Sequence, residues 1–229
     1  MESKNRLLDK VDKTNQYISN SPIIKGLIDG GLSLIPFLGS AISSSLDTRA
    51  FKLFEENSRK FSEEVHRLVE KMDDKKLDKK FIESDEFTSI LMETLGRNAR
   101  AYEEEKVKLF AKTLAGFTTV QGSQILYKEG FIRIIDELSI EHIKILAFIF
   151  DRINNPIETD EKLIDRIQSK EISVGLNIPE ERVQAYCEQI IRYGLLRDWA
   201  IGRYGYKPGS YTITGYGFEF AKFLYSSLM

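Results

Sequence analysis

The sequence predicts a mainly α-helical protein in two parts. An elongated helical domain built on antiparallel long helices is expected over residues 1–138, and a winged helix with a small β-hairpin over residues 139–229. Two observations predict this fold class. Apolar residues at i, i+3, i+4 spacing recur over long stretches of the first part. In the second part a helix is followed by a strand, a glycine-rich turn and a returning strand, which is the order of a winged helix.

The composition is that of an ordinary globular protein. Of the 229 residues, 42% are hydrophobic and 30% are charged, and the formal net charge is -2. A DNA-binding domain usually carries a positive excess, so this balance lowers the expectation of DNA binding. The N-terminus lacks the apolar core of a secretory signal peptide, and no run reaches the roughly 18 to 20 apolar residues of a membrane span. The sequence therefore predicts a cytoplasmic protein.

An apolar, glycine-rich hairpin is expected at residues 22–46, which carry no charge from Gly30 to Leu46. Pro36 makes two short helices more plausible than one straight helix. The favoured interpretation is a buried hairpin. The alternative is a segment that inserts into a membrane surface or a partner, although interfacial helices usually carry more basic residues than the single Lys25. The candidates for insertion are Ile35, Phe37 and Leu38.

The helical domain is organised around residues 47–72, which have an apolar stripe on one side and charged residues on the other. A second stripe begins after Ser84, a good N-cap followed by two acids, and continues to Phe117 with a kink expected at Gly96. We expect this second helix to be the antiparallel partner of the first. The charged run at 73–81 is predicted to be a solvated connection.

The winged helix is defined by residues 178–216, preceded by helices expected over 140–153 and around 160–168. Its predicted elements are, in order, a helix over 179–193 opened by Pro179, a left-handed cap at Gly194, a strand from Leu195, a turn over 203–209 and a strand over 211–213. A final helix is expected over 217–228.

Motifs for catalysis or metal binding are missing from the sequence. Glu63-x-x-His66 matches one element of a di-iron site, but the second element that such a site needs is absent. Cys187 is the single cysteine and lies on an apolar helix face. We therefore expect no enzyme, no catalytic residue, no metal and no cofactor.

The winged helix supplies the candidates for binding. Arg and Gln side chains suit purine edges and Lys suits phosphate, whereas Glu180, Glu181 and Glu188 on the same helix oppose phosphate. A protein partner and DNA both stay open, with the protein slightly favoured. The candidate contact residues are Arg182, Gln184, Gln189, Arg203, Tyr204 and Lys207.

The middle of the chain resembles bacterial proteins of the abortive infection alpha type. The resemblance rests on Lys108-Leu-Phe-Ala-Lys-Thr-Leu-Ala-Gly, on Phe131-Ile-Arg-Ile-Ile-Asp-Glu-Leu-Ser139 and on Ile145-Leu146. It covers about residues 85–150 and implies a role in bacterial defence against phage, without catalytic residues.

The function predicted from the sequence is a non-enzymatic interaction protein whose winged helix binds a protein or nucleic-acid partner. One alternative is a membrane-active effector that uses residues 22–46. The other is a DNA-binding transcription regulator, which would need a homodimer because one recognition helix gives little specificity.

Overall fold

The structure is a computed structural model that describes residues 48–101, 103–154, 166–199 and 209–226. Within these residues the chain is mainly helical, with one three-stranded antiparallel sheet towards the C-terminus, so the predicted fold class is confirmed. The apolar hairpin at 22–46, with Ile35, Phe37 and Leu38, lies outside the described residues.

The chain divides into two compact units, Met1–Ile125 and Leu126–Met229. The sequence places its boundary after residue 138 instead. The helix between the two positions, Lys128–Glu137, packs inside the second unit through Phe131, whose ring makes an edge contact with Phe220 at 5.0 Å between centroids.

The described part of the first unit is helical, apart from its turns and one isolated β-bridge. Its helices are α1 (Thr48–Glu70), α2 (Lys79–Ile82), α3 (Asp85–Asn98), α4 (Glu104–Phe117) and α5 (Val120–Ser123), with a 3-10 turn at Asp74–Lys76. Ser84 caps α3 as expected, because its hydroxyl accepts a hydrogen bond from the Phe87 N–H at 3.2 Å. Gly96 lies inside α3, and the chain turns after the helix, at residues 99–101, instead.

The core of the first unit lies mainly between α1 and α4, which pack lengthwise. The two helices bury apolar stripes of the same spacing, since residues three, four and seven apart share one face of a helix. The buried residues are Phe54, Phe61, Val65 and Val69 on α1, and Val107, Phe110, Ala111 and Leu114 on α4.

Helices α1 and α4 run in the same direction. Lys60 Nζ lies 3.4 Å from Glu104 Oε2 at the start of α4. Beyond the C-terminal ends of both helices, the Asp78 N–H donates to the Thr118 oxygen at 2.8 Å. The contacts thus advance along both helices together. The predicted single antiparallel partner is therefore replaced by two helices, because the chain reverses between α3 and α4.

Two buried asparagines join the end of α3 to the middle of α1. Asn57 Nδ2 donates to the backbone oxygens of Asn98, at 3.2 Å, and Ala101, while Asn98 Nδ2 donates back to the Asn57 backbone oxygen at 3.2 Å. Carbonyls at a helix C-terminus lack intrahelical donors and need such partners when they are buried. The pair thereby fixes where the chain reverses.

The charged run at 73–81 is docked on the unit rather than solvated throughout. Its lysines are exposed, but Leu77 and Phe81 are buried. Asp78 accepts hydrogen bonds from the Ser123 hydroxyl at 2.7 Å and from the Phe81 N–H at 3.1 Å. The two apolar residues and the capped aspartate anchor this connection.

The second unit contains five described helices and the sheet. Its elements are α6 (Lys128–Glu137), α7 (Ile140–Asn154), β1 (Ile167–Gln168), α8 (Ser169–Leu176), α9 (Glu180–Arg192), β2 (Leu196–Asp198), β3 (Ser210–Ile213) and α10 (Gly215–Ser226). The strand order is β1-β3-β2, and both pairings are antiparallel. Helix α7, β1, α8, α9 and the β2–β3 hairpin follow one another as in a winged helix.

Two local predictions differ from the structure. A helix is expected around 160–168, but Ile167 and Gln168 form a strand that pairs with β3. Residues 160–165 lie outside the described residues. The sequence of residues 169–177 predicts only a short step before α9, whereas the structure has a full helix there, Ser169–Leu176. Gln168 ends β1 and also caps α8, because its backbone N–H faces the Glu171 carboxylate at 3.5 Å.

We expect Asn57→Ala to lower the free energy of unfolding of the first unit by about 1–3 kcal/mol, because the half-buried Ala101 carbonyl loses the amide that reaches it, while the Asn98 carbonyl keeps only the Ala101 N–H. Urea unfolding followed by circular dichroism measures this. The control Gln121→Ala removes an exposed amide and should change the stability by less than about 0.5 kcal/mol. The double variant Asn57→Ala/Asn98→Ala should cost less than the sum of the single variants; strict additivity would contradict the reciprocal pair.

Gly217→Ala is expected to destabilise the second unit by about 1–3 kcal/mol, since overpacking strains a filled site. A Cβ at Gly217 would lie 2.0 Å from the Leu195 backbone oxygen, which cannot rotate away. The matched variant Gly215→Ala, in the same helix, meets nothing within 4 Å and should be neutral or slightly stabilising. Thermal unfolding compares the two, and equal effects would disprove this close approach of α10 to the strand.

Candidate partner-binding surfaces

The recognition helix of the winged helix is α9. Asn177, in the left-handed conformation with φ 54°, ends α8, and Pro179 precedes α9. Val183, Cys187 and Ile190 are fully buried and point α9 into the unit. The opposite side is exposed and is called here the outer face of α9; it consists of Glu181, Arg182, Ala185, Glu188, Gln189 and Arg192.

The structure brings together two of the six predicted contact residues. Arg182 and Gln189 lie two helical turns apart on the outer face of α9, and both are exposed. Gln184 is half-buried and lies on another side of the helix. The remaining three, Arg203, Tyr204 and Lys207, lie outside the described residues.

Gln184 belongs to an internal hydrogen-bond cluster around the buried Ser169. Its side-chain amide donates to Ser169 Oγ at 3.4 Å, and the Ser169 hydroxyl donates to Glu180 Oε1 at 2.7 Å. The Ser169 backbone N–H donates to the Gly209 oxygen at 2.7 Å. This cluster ties the start of α8 to the start of α9 and to the approach to β3, which explains why Gln184 is turned inward.

Charge on the outer face of α9 is balanced. Arg182 and Arg192 supply two positive charges, and Glu181 and Glu188 supply two negative ones. Residues three, four and seven apart on a helix are neighbours, so the opposite charges alternate over the face and no basic stripe forms. The face can make specific polar contacts, but its net charge exerts little attraction on a polyanion.

Ser139 and His142 form a pair at the start of α7. His142 Nδ1 accepts a hydrogen bond from the Ser139 backbone N–H at 3.1 Å and lies 2.7 Å from Ser139 Oγ. The ring of His142 also contacts that of Tyr186 on α9 at 4.6 Å between centroids. The histidine thus occupies the place of the Glu or Gln of a capping box. The pair joins the helix start to α9.

The histidine of the first unit has an ordinary surface partner. His66 Nε2 lies 3.2 Å from Glu70 Oε1, while Glu63 pairs with Arg59 at 2.7 Å. Across the described ranges, no three His, Cys, Asp or Glu side chains gather as a metal-binding group. No helix in the described part of the chain combines the length and apolar character required to cross a membrane.

Arg166, which is exposed, and Trp199, which is half-buried, form a stack that the sequence does not predict. The guanidinium carbon of Arg166 lies over the Trp199 ring, 3.9 Å from its centroid. Such a contact contributes about 0.5–1 kcal/mol at an exposed site. The two residues are far apart in the sequence and meet only through the pairing of β1 and β2 with β3. The feature of the sequence that could have indicated this stack is the single tryptophan of the chain, two residues after Arg197.

Cys187 provides a test of how α9 packs. Burial raises the pKa of its thiol to about 12, so the reactive thiolate is scarce at neutral and mildly alkaline pH. We expect no reaction with an aromatic disulfide reagent at pH 8 in the folded protein and complete reaction in denaturant. The variant Ala185→Cys places a thiol on the exposed side of the same helix and should react rapidly. Equal rates for both thiols would show that α9 is not packed as described.

The residues that carry the resemblance to abortive infection alpha proteins are core residues. Phe110, Ala111, Leu114 and Ala115 are at most 1% exposed, and Phe131 and Leu138 are buried as well. The apolar positions of that pattern therefore follow from helix packing. No protein-family model, no curated protein and no solved structure matches the chain.

Proposed function

We propose that the chain is a non-enzymatic interaction protein whose winged helix binds a protein partner. The observation that carries the proposal is the charge balance of the outer face of α9, where Arg182 and Arg192 are matched by Glu181 and Glu188. This is the helix that would enter the major groove if the domain read DNA.

Electrostatics favours a protein over DNA as the partner. Non-specific DNA binding depends on neutralising phosphates with Lys and Arg, and its affinity grows with the number of such contacts. A glutamate at a groove-facing position faces the phosphates at a cost and offsets a neighbouring arginine. The outer face of α9 has no net charge, and the whole chain has a formal charge of -2. A protein surface, by contrast, commonly presents both signs of charge.

The composition of the outer face suits a protein interface. Arginine is enriched at such interfaces. Ala185 at the centre of the face lets a partner approach the helix backbone closely. Gln189 and Arg182, two turns apart, offer an amide and a forked donor on either side of that central position.

Duplex DNA binding across a salt series tests the proposal. Because the face has no net charge, we expect a dissociation constant weaker than about 10⁻⁴ M for a random-sequence duplex near physiological salt. Fluorescence anisotropy of a labelled duplex measures it. Micromolar binding whose affinity falls steeply with salt would refute the protein-binding proposal in favour of DNA.

A matched variant calibrates that result. Glu181→Gln/Glu188→Gln gives the same face a charge of +2 without changing its shape, so it should gain DNA affinity if α9 is accessible to a groove. A positive readout for the wild type is a photoreactive residue at Gln189, which should crosslink a partner protein in cells that express the chain. The same residue at the exposed Lys222 of α10 should give no such product.

Two further hypotheses remain predictions from the sequence. Phage defence is implied by the resemblance, and would show as a change in phage plating efficiency on a bacterial host that expresses the chain. Membrane activity depends on residues 22–46, which lie outside the described residues.

A further inference from the structure

The strand register brings six side chains onto one face of the small sheet. Gln168 pairs with Ser210, and Arg197 pairs with Thr212. Paired residues share a face and side chains alternate along a strand. By the same alternation, Arg166 and Trp199 fall on that face at the strand ends. We call the set the outer sheet face; it consists of Arg166, Gln168, Arg197, Trp199, Ser210 and Thr212.

The other side of the sheet faces the core, which leaves the outer sheet face as the accessible one. Ile167, Leu196 and Tyr211 point inward and are at most 2% exposed. On the outer sheet face, Arg166, Gln168 and Arg197 are exposed and Ser210 and Trp199 are half-buried, while Thr212 on the central strand is only 8% exposed. The Trp199 backbone N–H donates to the Ser210 backbone oxygen at 2.7 Å, which continues the β2–β3 ladder to the residue that carries the ring.

The stack of Arg166 on Trp199 orients a forked donor before any partner arrives. A guanidinium that is stacked on an aromatic ring contacts the ring through its planar face. The N–H groups at its edge therefore stay available as donors. Those N–H groups match the two oxygens of a carboxylate in a bidentate pair. Holding a long side chain in one orientation also reduces the entropy that binding would otherwise cost.

Charge on the outer sheet face is of one sign, in contrast to that on α9. Its six residues include two arginines and no carboxylate. Arg166 and Arg197 stand on the two edge strands on either side of Thr212, about 10 Å apart at the backbone. The face therefore presents two separate anion-binding forks, with an aromatic ring beside one of them.

We propose that the outer sheet face binds an acidic segment of a protein partner, with Arg166 and Arg197 each pairing with a carboxylate and Trp199 packing against the chain between them. This rests on the proposed function and specifies the chemistry of its partner. Acidic side chains two or three residues apart on an extended segment are spaced by about 7–10 Å, which suits the two arginines.

Nucleic acid fits this face less well than an acidic peptide. A single strand is held by a basic groove along its backbone and by bases stacked on open aromatic rings. Here the face supplies two arginines, and one side of the Trp199 ring is already covered by Arg166. A base would have to displace that guanidinium or stack on it, whereas a carboxylate can bind the guanidinium N–H groups without moving it.

The single tryptophan makes the test specific, because its emission reports on this face alone. The probe is a short labelled peptide of alternating Glu and Thr, added to the full-length chain. We expect a saturable change in Trp199 emission and a matching rise in peptide anisotropy. The same peptide with Gln in place of Glu should give neither, and a short oligothymidine should bind more weakly.

Variants of Arg166 distinguish the contribution of its forked, stacked guanidinium from that of its positive charge. Arg166→Gln and Arg166→Lys should each raise the dissociation constant of the Glu peptide about tenfold or more, because Lys keeps the charge but loses the fork and the stack. The control Arg133→Gln removes an equal charge from the exposed side of α6, outside both surfaces, and should change the dissociation constant less than about twofold. Thermal unfolding confirms that each variant is folded.

Three results would overturn the proposal: no response to the Glu peptide, tighter binding of oligothymidine, or equal weakening by Arg166→Gln and Arg133→Gln. The proposed function fails separately, by micromolar duplex binding or by absence of crosslinks at Gln189. Crosslinks at Gln189 without a Trp199 response would refute the outer sheet face and leave α9 as the binding surface.

Discussion

The geometry of the winged helix depends on the buried hydroxyl of Ser169. Its backbone N–H reaches the Gly209 oxygen, its hydroxyl donates to Glu180, and the Gln184 amide donates to it. One residue thereby fixes α8, α9 and the approach to β3. Gly209 is required at this point, since its φ is 102° and a Cβ would lie 2.7 Å from Ser169 Oγ. The same contact holds β1 against β3, and so sets the register that brings Arg166 to Trp199.

Regular patterns account for the part of the fold that could be predicted. The stripes of α1 and α9 and the caps at Ser84 and Gly194 are local signals, and the structure has helices where those signals lie. The reversal of the chain after α3 was not predictable from these signals. Glycine has a lower helix propensity than the residues around Gly96, so local propensity favours a helix end there. The helix nevertheless continues through Gly96, because the Asn57–Asn98 pair supplies hydrogen bonds to the backbone at its C-terminus. A contact between residues 41 apart decided this boundary over local propensity.

The candidate binding residues likewise divide into those that a local sequence pattern places and those that depend on contacts between distant parts of the chain. Helical periodicity places Arg182 and Gln189 on one exposed face, and the sequence contains all that is needed for this. Gln184 was grouped with them because its chemistry suits a base edge, but its position beside the stripe of Val183 and Cys187 turns it towards Ser169. The stack of Arg166 on Trp199 needed the register of a two-residue strand, which lies in a stretch that reads as helix. No local pattern in the sequence defines such a strand.

The two candidate surfaces of the winged helix differ in their charge. The outer face of α9 has opposite charges in equal number, so it produces little long-range attraction and depends on fitted short-range contacts. The outer sheet face has two arginines, one already oriented by an aromatic ring. A DNA-binding protein that makes many phosphate contacts relies on the summed charge instead. A fold can therefore keep the helix order of a DNA reader while its charges are arranged for a different partner, because the core residues that specify the fold are not the ones that carry the charge.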